Sequence, residues 1–364
     1  MGTNERIKEL EDELKKTKYN KATSHHVGLV KAKIAKLKED VVRKASGGKK
    51  GEGFTVRKTG DASVVLLGFP SVGKSTLLNK ITDAVSEVAA YAFTTLTCIP
   101  GVLAYKQSKI QILDVPGIVH GAASGRGRGK EVLSAIRNAD MILLLLDARH
   151  PEHLEALLRE VREAGIRANE RKPDVAIKKK DRGGISVGST IKLTKIKEET
   201  IKGICREMGL SNADVVLRSD IDADQLIDVI ESNKVYLPSV VVVNKADLLD
   251  EEGKARLVRK LGADLFISAE KEINLEELKD LIYRRLAFIR IYLKEVGKKA
   301  DMEEPMIMRE GCTVRDVCNK LHRDFVEKFR YARLWGPSAK FEGQQIRKLS
   351  RELQDGDVLE MHLS

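Results

Sequence analysis

The stretch "GFPSVGKSTLLNK", Gly68 to Lys80, decides the fold. It has the form G-x-x-x-x-G-K-S. An apolar run, Val64 to Leu67, precedes it and reads as a buried strand. After it, Leu77, Leu78 and Ile81 recur on one helical face. Strand, glycine-rich turn and helix in that order suit anion binding. Gly68 and Gly73 let the backbone curl so that N–H groups converge at the positive end of a helix. Lys74 is placed to reach the outer phosphates and the Ser75 hydroxyl to ligate Mg2+. Pro70, Ser71, Val72 and Thr76 complete the expected contact set. A glycine turn that merely opens a helix has no need of that lysine and serine. The expected ligand is a nucleoside triphosphate.

Three later motifs choose the base. "DVPG", Asp114 to Gly117, ends the strand "KIQIL". An aspartate there can hold Mg2+, usually through water, and the glycine N–H can sense the γ-phosphate. "NKAD", Asn244 to Asp247, follows "SVVVV", and "SAE", Ser268 to Glu270, follows "DLFI". Asp247 can accept two hydrogen bonds from guanine N1–H and N2–H2. Adenine offers neither, and a carboxylate left unpaired rejects it strongly. Asn244 shapes the loop and can donate toward the guanine edge, the Lys245 stem covers the base plane, and Ser268, Ala269 and Glu270 close the pocket. Each motif alone is short. Four in this order, each after a strand, specify GTP.

The 364 residues are enough for two or three domains. Lys and Arg number 65 against 54 Asp and Glu, a net charge of +11 that suits a polyanionic partner. The cysteines Cys98, Cys205, Cys312 and Cys318 form neither CxxC nor a zinc-ligand spacing with histidine, so they read as reduced thiols. The charged start and short apolar runs predict a cytoplasmic chain with no membrane partner. Aromatic content of 4% argues against a base-stacking RNA platform, and nothing indicates DNA specificity.

Along the chain, Val27, Val30, Ile34, Leu37 and Val41 form an apolar seam on one helix, and Ile7, Leu10 and Leu14 a shorter one before it. The two predict a helical hairpin. "VVLLG", "KIQILD", "MILLLLD", "SVVVVN" and "DLFIS" predict a mostly parallel α/β sheet. After Arg290 the texture becomes that of a small strand-and-helix module, with Thr313 and Asp316 spaced as a capping box.

"TGDASVVLLGFPSVGKSTLLNKIT", "AYAFTTLTCIPG" and "LDVPGIVHGAASGRGRGKEVL" closely resemble the developmentally regulated GTP-binding proteins, within the Obg-related, translation-factor class of P-loop GTPases. The resemblance spans nearly the whole chain. It implies an N-terminal helical region (1–48), a linker (49–62), a GTPase domain (63–164 and 238–289), an α/β insertion (165–237) and a C-terminal TGS domain of β-grasp type (290–364). It implies a switch-I threonine that ligates Mg2+, Thr95, with Thr94 as the alternative. Many Ras-like enzymes carry a water-orienting glutamine after the switch-II glycine, Gly117 here. Ile118 stands in its place, and the resemblance accounts for the apolar residue. An isoleucine neither donates nor accepts a hydrogen bond. Relatives often recruit K+ through a phosphate-loop asparagine; Ser71 occupies that position, which leaves K+ use open. Arg126 and Arg128, in the glycine-dense stretch after Gly117, read as solvated side chains, with phosphate contact as the alternative. Unassisted turnover is expected at about 10⁻³ s⁻¹ or below.

Asp114 and Asn244 lie 130 positions apart, roughly twice what the intervening strand and helix of a Ras-like domain need. The excess holds "KPDVAIKKKDRGG" and two amphipathic stretches, near Glu198–Met208 and Asp222–Glu231. Residues 167–206 carry 12 basic and 5 acidic side chains, and residues 21–60 carry 11 and 3. Two concentrated basic patches beside a GTPase point to the ribosome or RNA as partner, with room for a regulatory protein.

Overall fold

The computed structural model describes residues 2–18, 20, 23–45, 60–82, 99–114 and 136–363. The chain begins α1 (Thr3–Lys16), α2 (Ser24–Ala45), β1 (Ala62–Leu67), α3 (Lys74–Ile81), β2 (Ile99–Tyr105), β3 (Ser108–Asp114) and β4 (Met141–Asp147). It continues with α4 (His153–Glu163), β5 (Ile166–Ala168), β6 (Val175–Lys179), β7 (Ile185–Ser189), α5 (Glu198–Glu207), β8 (Ala213–Leu217), α6 (Ala223–Glu231), β9 (Val235–Leu237) and β10 (Ser239–Asn244). It closes with α7 (Glu251–Leu261), β11 (Leu265–Phe266), α8 (Leu275–Arg285), β12 (Phe288–Leu293), β13 (Met306–Arg309), α9 (Val314–Leu321), α10 (Arg323–Glu327), β14 (Phe329–Trp335), β15 (Gln344–Ile346) and β16 (Asp357–Leu363).

These elements form two compact units, one of residues 54–169 and 237–364, the other of 1–53 and 170–236. The larger unit holds a six-stranded sheet in the order β11-β10-β4-β1-β3-β2. Its strands are parallel except β2, which runs antiparallel to β3. β1 and β10 are buried at every residue, as their unbroken apolar runs require. Val64, Leu66, Leu143, Leu145, Val240 and Val242 of the sheet share one core with Leu77, Leu78 and Ile81 of α3 and Leu278 and Ile282 of α8. The five expected strands are all present. The edge strand β2 was not foreseen, because Pro100 and Gly101 break its pattern.

Residues 288–363 form a second sheet, β13-β12-β16-β14-β15, with β12 and β16 parallel and the other pairs antiparallel. Val314, Val317 and Cys318 of α9 pack on it. The expected cap forms: the Thr313 N–H donates to Asp316 Oδ2 at 2.8 Å. The expected border near residue 290 is not a gap. Phe288 and Ile307 lie in the core of the first sheet, and Arg309 pairs with Asp140 at 2.5 Å.

In the other unit the sheet order is β6-β8-β7. Its core joins Ile201, Ile204 and Cys205 of α5, Leu226 and Ile227 of α6, and Ala32 of α2. The N-terminal region and the insertion, expected as separate pieces, therefore share one core. Val27, Val30 and Ile34 of the expected seam are buried. No α1 residue is buried; an ion pair of Lys38 with Glu11 at 2.7 Å and a hydrogen bond between the His26 ring and Glu13 at 2.9 Å tie that helix to α2. Cys205, Cys312 and Cys318 are free thiols in buried positions. No described helix is long and apolar enough to cross a membrane.

Candidate nucleotide site

Register gathers the motifs. Leu66 of β1 lies beside Asp114 of β3, Leu67 beside Leu144 of β4, and Asp147 beside Asn244 of β10. Parallel strands end together, so the loops after β1, β4, β10 and β11 and the last residue of β3, Asp114, meet at the carboxyl edge of the sheet. Ligands of open α/β sheets bind at that edge.

At the phosphate end, Gly73 caps α3 with φ at 96°, a left-handed value that favours glycine. A Cβ there would also lie 2.5 Å from Asn244 Nδ2, and one at Gly68 would lie 2.5 Å from the Leu145 carbonyl oxygen. Both glycines are thus required by close approach. Lys74 Nζ donates to the Gly68 and Phe69 carbonyls at 2.9 and 3.0 Å. Burial lowers the lysine's pKa, and Asp114 opposes the shift. Burial raises that of Asp114, opposed by Lys74 and then by the Ser75 hydroxyl. Ser75 Oγ donates to Asp114 Oδ2 at 3.3 Å, while Asp114 Oδ1 is buried without a hydrogen-bond partner among the described residues. A bare carboxylate oxygen beside a hydroxyl at a phosphate loop is the donor set of a hard divalent cation, so these residues fit Mg2+.

At the base end, Asn244, Lys245, Asp247, Ser268, Ala269 and Arg149 line a cavity of about 500 Å³. Thr76 and Glu270 also border it. Asn244 is 3% exposed and engaged at both ends. Its Nδ2 donates to the Val72 carbonyl at 2.8 Å, and its Oδ1 accepts from the Ala269 N–H at 2.9 Å. It braces two loops, as a loop-shaping residue must, and uses one of the two N–H groups of its amide to do so. Lys245 Nζ donates to the Ser71 carbonyl at 3.0 Å and pairs with Asp147 at 2.6 Å. This fastens the phosphate loop to the base loop, with Ser71 held at φ 62°. Asp247 pairs with Lys271 at 2.9 Å. That lysine first, and Ser268 second, hold its pKa below the usual range.

Asp147, Arg149 and Lys271 went unrecognised in the sequence. The only signal was the acid ending "LLLLD", and its partner Lys245 lies 98 residues away. Thr94, Thr95, Gly117, Ile118, Arg126 and Arg128 lie outside the described residues.

Residues 63–179 match the family described as 50S ribosome-binding GTPase, residues 182–288 the C-terminal region of that domain, and residues 289–362 the TGS domain. The chain is 47% identical to developmentally-regulated G-protein 3 of Arabidopsis thaliana over 362 residues, covering 98% of each chain. The chain belongs to the developmentally regulated GTP-binding proteins. It is 44% identical to the human developmentally-regulated GTP-binding protein 2, with 99% of each chain covered. An uncharacterised GTP-binding protein of Methanocaldococcus jannaschii is 56% identical, covering 99% of this chain and 92% of its own. Among solved structures, the YchF GTPase of Schizosaccharomyces pombe aligns with 84% of this chain and 99% of its own, at 13% identity and a TM-score of 0.44. Membership makes this chain a GTP-binding protein with a GTPase domain and a TGS domain.

Proposed function

We propose that this chain is a slow, Mg2+-dependent GTPase whose bound nucleotide sets its contact with the ribosome or its RNA. The observation that carries the nucleotide chemistry is the bare Asp114 Oδ1 beside the Ser75 hydroxyl. It lies on the same sheet edge as the cavity that Asp247 lines. When bound, Mg2+ screens the negative charge of the β- and γ-phosphates. Ser75 would hold the ion directly and Asp114 through water, with the switch-I threonine, Thr95 or its alternative Thr94, completing the set. Lys74 holds the outer phosphates. The Gly117 N–H senses the γ-phosphate, and Asp247 accepts from the guanine edge. Ile118 cannot orient the attacking water, so the switch backbone, a cation at Ser71, Arg126, Arg128 or a partner does so.

Two findings favour the ribosome as partner. One is the description of the matching family as ribosome-binding. The other is the distribution of charge. Lys178, Lys179, Lys192, Lys195 and Lys197 are exposed. By contrast, Lys31 and Lys38 of the N-terminal surplus are paired with Asp224 and Glu11. A nucleotide-gated RNA-binding scaffold in which hydrolysis is incidental is the second reading, favoured by Ile118. The expected place of action is the cytoplasm.

The test is co-sedimentation with ribosomes in GTP-analogue, GDP and nucleotide-free states, with single-turnover hydrolysis measured with and without ribosomes. Association that depends on nucleotide, with faster turnover on the ribosome, is expected. Ile118→Gln should leave basal turnover within about tenfold, or 1.4 kcal/mol of barrier. Equal sedimentation in all three states would overturn the switch. A large gain from the glutamine alone would overturn the account of Ile118.

A further inference from the structure

Just past β4, the sequence "RHPEH" makes a tight turn into α4. The His150 N–H donates to the Asp147 carbonyl at 2.9 Å, and the His153 N–H to the His150 carbonyl at 3.2 Å. The Arg149 N–H donates to Asp147 Oδ1 at 2.9 Å. With Pro151 fixing the backbone between them, the turn brings three metal-ligating side chains to one spot. One ligand atom each from His150, Glu152 and His153 lie within 4.8 Å of one another. His150 Nδ1 is 3.1 Å from Glu152 Oε1, and the two imidazoles stack with centroids 5.1 Å apart. None of the three belongs to the nucleotide site. His153 nevertheless touches its wall, because its ring stacks on Phe69 of the phosphate loop at 3.9 Å and 17°. The carbonyl of that same Phe69 accepts from Lys74.

We propose that His150, Glu152 and His153 bind a divalent transition metal of the zinc class, in a site wired to the phosphate loop through Phe69. Two imidazole nitrogens and one carboxylate suit such an ion, whereas Mg2+ takes oxygens. Metal–ligand bonds of about 2.0–2.2 Å place tetrahedral ligand atoms roughly 3.3–3.6 Å apart. The present spread closes to that by rotation of side chains, two of which are exposed and the third half-buried. Three protein ligands leave a coordination position open to water or to a partner's side chain. The positive end of α4 opposes a cation, and the Glu152 carboxylate at that end offsets it. Among the described residues this is the one cluster of three such ligands. Bound metal fixes the His153 ring and, through the stack, the Phe69 segment that receives Lys74.

The full chain, metal-stripped and then loaded with Mg2+ and GDP, is titrated with Zn2+ against a chromogenic chelator. One equivalent is expected in the wild type. His150→Ala with His153→Ala should weaken it about tenfold or more, and Glu152→Gln should have an intermediate effect. Thermal melts check that the variants are folded, which the surface position favours. Zinc should also change the affinity for a fluorescent GDP analogue by about fivefold in the wild type and not in the double variant. Undiminished zinc binding in the folded double variant overturns the site. Unchanged nucleotide affinity in zinc-loaded wild type overturns the link to the loop.

Discussion

Asp247 and Asp114 are both carboxylates on the sheet's carboxyl edge, and their surroundings push them in opposite directions. Asp247 is held ionised by Lys271 and Ser268, which suits an acceptor for two guanine donors. Asp247→Asn should lower GTP affinity on the order of 10²-fold, since hydrogen bonds to a charged acceptor are the stronger ones. It should also raise affinity for xanthosine triphosphate, whose carbonyl replaces the guanine amino group. Paired titrations of the two nucleotides decide the point; an unchanged ratio would remove Asp247 as the base reader. Asp114 is buried and its pKa is raised. A group that binds its proton more tightly when folded adds stability while protonated, and that contribution is lost as pH rises through the folded value. At neutral pH the ionised carboxylate therefore costs stability. Asp114→Asn should melt above wild type without nucleotide at pH 7, with the difference shrinking toward pH 4. The variant should also lose most of the stabilisation that Mg2+ with a GTP analogue gives wild type. A lower melting temperature at pH 7 would contradict the account of its burial.

Among the elements, α2 most changes the organisation read from sequence. Gly28 faces α5 and α6: a Cβ there would lie 3.0 Å from Thr200 Cγ2, 3.4 Å from Ile204 Cδ1 and 3.5 Å from Ala223 Cβ. On a free helix, replacing glycine by leucine stabilises by roughly 0.8 kcal/mol through propensity. At a packed contact, the added side chain costs about 1–3 kcal/mol. Gly28→Leu should therefore destabilise the unit that contains it, and the two cases differ in sign. Denaturant unfolding followed by a probe in residues 170–236 measures this, and stabilisation would show that α2 does not dock on the insertion.

For the whole molecule the decisive quantity is where the positive charge lies. A net +11 over the chain is compatible with mere solubility, but exposed lysines at 178, 179, 192, 195 and 197 concentrate charge on the unit that lacks the nucleotide loops. Each phosphate contact adds to the salt dependence of nucleic-acid binding. Replacing Lys178, Lys179, Lys192 and Lys195 together by Glu should weaken ribosome association about tenfold or more at physiological salt and flatten its salt slope. GTP affinity should not change. Sedimentation across a salt series, with GTP titration as control, checks both, and full retention of ribosome binding would place the contact elsewhere.

The sequence by itself determined the phosphate loop, the order of the parallel strands' motifs, the choice of guanine and the family. These features are local: a glycine that must be left-handed, a lysine six residues after Gly68, an aspartate at a strand's end. Only the tertiary structure decided which loops Asn244 braces, because its partners Val72 and Ala269 arrive from the loops after two other strands. The same holds for the clamp of Lys245 on Asp147, which depends on β4 and β10 lying side by side. It also decided that α2 and the insertion share a core. An apolar seam states that a helix must be covered; it does not state by what, and the covering residues lie more than 150 positions away.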